Sequence, residues 1–285
     1  MKKEVLSLYR LESNKKIRSS PVKRTILTTI AVLAILFVLT ACGGANKEMN
    51  KLEEITKRGT IIAGTSADYP PFEFVNSAGE MVGFDVDMIK EIAKQMGVKL
   101  ELSDMPFDSL IASVQEGKID VAVAGFNYDK ERDKVVDFSD PYYYSEDGFL
   151  VKEDFAGSIT APEDIAVYNV GVQTGSTADI WVTDNLLTPG KLPEANLFRY
   201  ERIDQAALDV KSGRIDVLMS DYIPMLAQAQ GIGGLKVAYH AEVSTGPVNI
   251  ILPEGETELA EKLNGIINKM IDDGVIDKIA TDNIK

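Results

Sequence analysis

The chain has 285 residues, room for one large domain or two smaller ones, and its 45% hydrophobic and 26% charged content excludes a disordered polymer. A net charge of −14 argues against nucleic-acid binding, which needs basic stripes. The single cysteine, Cys42, excludes an internal disulfide, and the single histidine, His240, leaves no His/Cys metal cluster.

Residues 1–24 carry eight Lys/Arg against Glu4 and Glu12. Residues 26–39 are apolar apart from Thr28 and Thr29, and Leu39-Thr40-Ala41-Cys42 follows. A basic segment, a short apolar run and small residues before a cleavage point make up a secretory signal. The run is shorter than the roughly 20 residues that cross a bilayer core. LTAC resembles the lipobox of bacterial lipoproteins, whose cysteine receives diacylglycerol and becomes the new N-terminus. Lipid on Cys42 would hold the chain at a membrane, since each buried CH₂ contributes about 0.8 kcal/mol. Residues 1–41 are therefore expected to be a signal peptide and 42–50 a tether, with GGANKEM as its flexible part. The basic segment is long for such a signal, which points to a translation start at Val22 from a non-ATG codon. Without residues 1–41 the chain keeps 22 Lys/Arg against 42 Asp/Glu, a net of −20, suited to a body that stands off an anionic surface.

Strand and helix patterns then alternate. TIIAGT, residues 60–65, is a β-rich run that ends in turn residues. Residues 85–97 place Val86, Ile89, Ile92, Ala93 and Met96 on one helical face, with Asp85 as expected N-cap and Gly97 just past the end. A strand over 99–102, a helix over 108–116 capped by Asp108 and stopped by Gly117, and a buried strand over 119–124 follow. From Val170 the order restarts: a strand over 170–173, a helix over 176–187, a strand over 197–200, a helix over 203–212 and a strand over 215–220. A strand over 246–253 and helices over 257–272 and 275–280 complete the chain. Such alternation predicts an α/β fold of mostly parallel sheets flanked by helices.

The two series echo each other. Asp108, Val114, Gly117, Ile119, Asp120 and Val121 recur, without a gap, as Asp204, Val210, Gly213, Ile215, Asp216 and Val217. EGKIDVAVAG and SGRIDVLMSD thus read as one helix–Gly–strand unit in two lobes, with Asp120 and Asp216 satisfying turn amides. The echo ends in a mismatch, Gly125 against Asp221. The C-terminal strand and helices need a partner, and the first lobe is the natural one. The expected organisation is a first lobe over 51–143, a hinge at 144–147, a second lobe over 148–241, a second hinge at 242–246 and a return to the first lobe over 247–285. Two crossings make a closing cleft.

In open α/β sheets ligands bind beyond the C-terminal strand ends. Here those ends hold Thr65-Ser66, Gly125-Phe126-Asn127, Thr174-Gly175-Ser176 and Ser220-Asp221, and Arg132 follows the first-lobe end. One Arg fork, one Asp and one helix N-terminus can hold a zwitterion: the fork and the amides take a carboxylate, the Asp an ammonium.

GTSADYPPFEF, GFDVDM, EGKIDV, ERDKVVDFSDPYYYS, VGVQTGST and SGRIDVLMSD resemble, in order and spacing, the motifs of the family 3 solute-binding proteins of amino-acid ABC importers, over residues 52–285. That resemblance implies a two-lobed periplasmic-binding-protein-like fold of type II. It also implies a monomeric receptor, without cofactor or metal, that passes an amino acid to the permease subunits of an importer. By the resemblance Arg132 binds the α-carboxylate and Asp221 the α-ammonium. Gly125 offers its carbonyl to the ammonium. Asn127, where the family has Ser or Thr, touches the ligand main chain. Ser176 and Thr177 serve the carboxylate, and Tyr69 and Phe107 form aromatic walls. Ser66 stands where binders of basic amino acids often carry an acid, which removes a counter-charge that Asp68 is a candidate to replace. A polar amino acid is the expected ligand, and the location extracytoplasmic and lipid-anchored. The alternatives are a dehydratase of small acids on the same fold and a sensory or adhesive surface lipoprotein. A Ser-His-Asp hydrolase is disfavoured because His240 lies in no motif.

Overall fold

The structure is a computed structural model and describes residues 49–284. The signal segment 1–41 and the lipidation at Cys42 fall outside those residues. Among the described residues no helix is long and apolar enough to cross a membrane.

Two five-stranded sheets carry the fold. In the first, β1 (Thr60–Thr65) lies parallel to β5 (Lys99–Asp104) and to β6 (Val121–Ala122). The late strand β15 (Ile251–Pro253) then pairs antiparallel with β6 and with β7 (Val136–Phe138). In the second sheet β10 (Val170–Gln173) lies parallel to β11 (Leu197–Tyr200) and β12 (Val217–Asp221). There β9 (Asp147–Lys152) pairs antiparallel with β12 and with β13 (Leu235–Ala241). Both sheets thus run parallel, parallel, antiparallel, antiparallel, and in each the fourth strand has just crossed from the other lobe. The crossings run side by side, since β8 (Tyr143–Tyr144) pairs antiparallel with β14 (Pro247–Val248). Asp147 ties them: its buried carboxylate accepts the amides of Val243, Ser244 and Thr245 and both hydroxyls of Ser244 and Thr245.

Helices cover both faces of each sheet. In the first lobe α1 (Lys51–Arg58), α2 (Phe84–Met96), α7 (Thr257–Asp272) and α8 (Val275–Asn283) pack on one side, around Ile55, Ile61, Ile89, Ile92, Leu263 and Ile267. On the other side α3 (Phe107–Gln115) packs Phe107, Leu110 and Val114 against Phe126, Val136 and Ile251. In the second lobe α5 (Ile203–Ser212) and α6 (Tyr222–Ile232) cover one face, and α4 (Thr177–Val182) the other with Ala178 and Val182.

Several local expectations need correction. Asp85 is not the cap of α2. The helix begins at Phe84 behind Gly83, and its first amides are taken by the carbonyls of Pro71 and Phe72. Gly83 sits at φ +127° with no room for a Cβ beside the Phe72 carbonyl, so only glycine fits there. Asp85 is left free to point into the core. Asp108 is not a cap either: α3 starts at Phe107 behind Pro106. The helix expected over 176–187 is α-helical only to Val182 and continues as a π turn over Thr183–Leu187. The strand expected over 246–253 breaks in two because Ser139 intervenes. Its carbonyl accepts Asn249 Nδ2 and its Oγ accepts the Ile250 amide.

Candidate functional site

A short antiparallel meander, β2 (Asp68–Tyr69), β3 (Glu73–Val75) and β4 (Met81–Val82), hangs from the end of β1. It brings Tyr69 and Glu73 over the mouths of both sheets. All nine expected site residues, Ser66, Tyr69, Phe107, Gly125, Asn127, Arg132, Ser176, Thr177 and Asp221, line one cavity there, with Asp68, Glu73 and Gln173 among their neighbours. The lobes stand closed on this cavity, leaving room for only about a water or two.

Arg132 is 6% exposed and reaches in from a 3₁₀ turn, Arg132–Lys134. The side chain of Asp129 accepts the Arg132 amide at 3.0 Å and so fixes the turn. The guanidinium lies 5.5 Å from the ring centres of both Phe107 and Phe126, which stack on each other at 4.5 Å. It donates to the Asn127 carbonyl at 3.1 Å and, across the cleft, to the Gly175 carbonyl at 2.6 Å. Burial lowers its pKa to about 10, so it stays charged at neutral pH. Its sequence neighbours Glu131 and Asp133 form no salt bridge with it, and Glu131 pairs with Lys134.

Asp221 ends β12 and is 6% exposed. Ser145 Oγ, from the first crossing, donates to its Oδ2 at 2.6 Å, and Asn127 Nδ2 donates at 3.2 Å from the opposite lobe. Burial pushes its pKa up to about 6 despite those bonds. Among the described residues no cation forms an ion pair with Asp221, and no carboxylate forms one with Arg132. Two buried, opposite, unpaired charges thus face one cavity from different lobes.

The remaining residues complete the walls. Tyr69 Oη bonds Ser220 Oγ at 2.7 Å and accepts the Asp221 amide at 3.1 Å. Gly125, at φ +56°, donates its amide to Asp85 Oδ2 at 2.7 Å, and a Cβ there would press on the Tyr69 ring. Ser176 Oγ caps α4 by accepting the Asp179 amide, and Thr177 is the first helical residue. Asn127 holds more than Ser or Thr could: its Oδ1 accepts the Gly246 amide at 3.0 Å while its Nδ2 reaches Asp221.

Asp68 does not stand free as a counter-charge. One oxygen accepts Ser66 Oγ at 2.7 Å, the other accepts the Ile203 amide of the second lobe, and Arg202 lies 3.7 Å away. Burial nonetheless raises its pKa to about 6. Sequence reasoning missed Glu73. It is 1% exposed, lines the cavity, and its Oε2 has no hydrogen-bond partner. Burial, reinforced by the negative charge of Asp85, holds it protonated well above the usual carboxylate range. The signal was the acid in YPPFEF, an odd choice between two phenylalanines in an otherwise apolar run.

Residues 61–284 match the bacterial extracellular solute-binding proteins, family 3, and the chain belongs to that family. Among its relatives are the arginine-binding extracellular protein ArtP of Bacillus subtilis (strain 168) and ABC transporter arginine-binding protein 1 of Escherichia coli (strain K12). ArtP is 31% identical over 90% of this chain and 96% of its own. The E. coli protein is 30% identical over 76% and 87%. L-cystine-binding protein TcyJ of E. coli (strain K12) is 26% identical over 88% and 93%. Among solved structures, an ancestral arginine-binding protein bound to arginine superposes with a TM-score of 0.75 at 38% identity, covering 80% of this chain and 99% of the other. The ancestral amino acid-binding protein AncCDT-1, a precursor of cyclohexadienyl dehydratase, gives 0.74 at 34%, covering 83% and 100%. The fold is therefore that of the type II periplasmic amino-acid-binding proteins, and the relatives named above are amino-acid-binding proteins, one of them of an ABC transporter.

Proposed function

We propose that this protein binds a polar, donor-rich amino acid between its two closing lobes, without turning it over, and delivers it to the permease of an ABC importer. One observation carries the reading: buried Arg132 and buried Asp221 face one cavity from opposite lobes, neither with an ionic partner. A free amino acid supplies both missing charges. Its α-carboxylate takes the Arg132 fork and the amides at the start of α4. Its α-ammonium takes Asp221 with the Gly125 carbonyl, and Asn127 and Tyr69 enclose the main chain. Phe107 packs against the ligand as it packs on Arg132.

The side chain then points toward Ser66, Glu73 and Gln173. Asp68 is spent within the protein, so Glu73 is the acid available to a cationic side chain. A cation there would draw off the Glu73 proton and leave a carboxylate facing it. Arginine is the first ligand to test, in keeping with the arginine-binding relatives. Entry requires the lobes to part, since the closed cavity holds only about a water or two. Ligand then favours closure by the contacts it makes to both lobes at once. The hinge is the paired crossings at 144–147 and 242–246, and Cys42 carries the lipid that keeps the receptor at the membrane face.

Calorimetry with arginine, lysine, ornithine, histidine, glutamine and cystine tests the reading. Saturable binding of at least one supports it, and a blank panel sinks it. Dehydration of a small acid is the second reading, with the protonated Glu73 as acid. Release of a product from bound substrate would establish it.

A further inference from the structure

Arg202 is the residue immediately before α5, in the second lobe, and it does not line the ligand cavity. Its fork closes on a carboxylate of the first lobe: Nη1 donates to Asp104 Oδ1 at 2.8 Å and Nη2 to Oδ2 at 3.1 Å. Asp104 ends β5 and is itself held by the Ala67 amide at 2.9 Å. The same Nη1 lies 3.4 Å from Ser66 Oγ and 3.7 Å from Asp68 Oδ1.

One residue on, the first amide of α5 donates to Asp68 Oδ2. The helix has no cap from its own flanking side chain. A ten-residue helix of one lobe is thus capped by a carboxylate of the other, where the helix dipole favours negative charge. Gln228 of α6 adds a bond to the Asp68 carbonyl at 3.4 Å. Two carboxylates on one side meet a guanidinium and a helix N-terminus on the other. None of these bonds survives separation of the lobes, and none needs a ligand.

We propose that Arg202, with Asp104 and Asp68, is a closure latch that positions the lobes and sets affinity for every ligand alike. The proposal rests on the cleft-closing reading above and extends it. Because the latch acts on the closed state and not on the ligand, its loss scales all affinities by one factor. That factor appears as faster dissociation, and added salt weakens the latch because the Arg202–Asp104 pair is partly exposed. It also explains why Asp68, which borders the cavity, is not the determinant of side-chain charge.

The test uses the purified protein labelled with one fluorophore on each lobe. Interlobe energy transfer is read without ligand at low and high salt, and affinities for arginine and glutamine are measured in parallel. Arg202→Ala is expected to lower the closed fraction and to weaken each ligand by the same factor, about five- to tenfold for a partly exposed bidentate pair with a buried neighbour. Arg202→Lys recovers part of both losses, and Asp104→Asn with Arg202→Ala is little worse than either change alone. Unchanged closed fraction in Arg202→Ala overturns the proposal. So does a loss confined to one of the ligands, which would make Arg202 a ligand contact. Should neither ligand bind the wild-type protein, the functional reading fails while the energy transfer still decides the latch.

Discussion

Arg132→Ala is the most direct test of the site. The wild-type guanidinium is 6% exposed and has five N–H donors, of which two are engaged, on Asn127 O and Gly175 O. Three remain, enough to grip a carboxylate with two. Truncating one partner of a buried, hydrogen-bonded charge pair costs about 2–5 kcal/mol of binding. That raises Kd by about 30-fold to several thousandfold. The same change strips two carbonyls of their donor in the closed form, at about 1–3 kcal/mol for each that stays buried and unpaired. Arg132→Lys separates charge from geometry. It keeps the charge but not the planar fork, nor the flat face that lies against Phe107 and Phe126, and is expected to fall between wild type and alanine. Calorimetry gives Kd, and circular dichroism verifies the fold. Near-wild-type affinity in a folded Arg132→Ala protein would refute the assignment of the carboxylate to this residue.

Four further predictions rest on the buried acids and one glycine. Asp221 has its pKa raised from 3.8 to about 6, and a bound ammonium holds it ionised. Binding below about pH 6 therefore displaces a proton, and affinity should be flat above that pH and fall about tenfold per unit below it. A flat profile from about pH 4.5 to 7.5 would remove Asp221 as the ammonium acceptor. Glu73→Gln should weaken arginine by about tenfold or more while leaving glutamine nearly untouched; equal loss for both ligands speaks against a side-chain role. Glu73 has a raised pKa in the fold, so its contribution is present below 4.5 and lost as pH rises through its folded value. The Gln variant removes that loss and should melt later than wild type near pH 8 in the absence of ligand. Gly83→Ala should cost about 2 kcal/mol or more in urea unfolding, through strain at positive φ and collision with the Phe72 carbonyl. An unchanged midpoint would count against that account of the helix start.

The legible parts of the fold are those set by periodicity. The helices over Ile203–Ser212 and Thr257–Asp272 and the strands over Thr60–Thr65, Val170–Gln173 and Leu197–Tyr200 coincide with their apolar patterns. Elements built on non-local bonds were illegible. The meander β2–β4 has two or three residues per strand, too few for an alternating pattern, yet it carries Tyr69 and Glu73. Asp85 reads as an N-cap because it stands before an apolar helical face. Only the fold shows that its carboxylate accepts the Gly125 amide and the Tyr142 hydroxyl instead, at 2.7 and 2.9 Å. The site residues came from motifs; their partners did not. That Asp68 serves the opposite lobe follows from the placement of α5, more than a hundred residues away. No local rule reports it.

The echoed segments show what symmetry contributes. Asp120 accepts the Ile62 amide and donates its own amide back to the Ile62 carbonyl; Asp216 makes the same exchange with Asn169. A Cβ on Gly64 would strike Ile119, and one on Gly171 would strike Ile215. The matching residues therefore do one job twice: each locks a buried strand beside its parallel neighbour, β1 in the first lobe and β10 in the second, with an isoleucine filling the space over a glycine. The two lobes then present like strand ends to each other, and an identical pair would offer the ligand the same group from both sides. The mismatch breaks that equivalence. Gly125 lines the cavity, turns at positive φ and hands its amide to Asp85. Asp221 instead places a carboxylate there, backed by Ser145 of the crossing. On the proposed reading one lobe offers the Gly125 carbonyl and Arg132, the other the full negative charge of Asp221, and a zwitterion would satisfy all three in only one orientation.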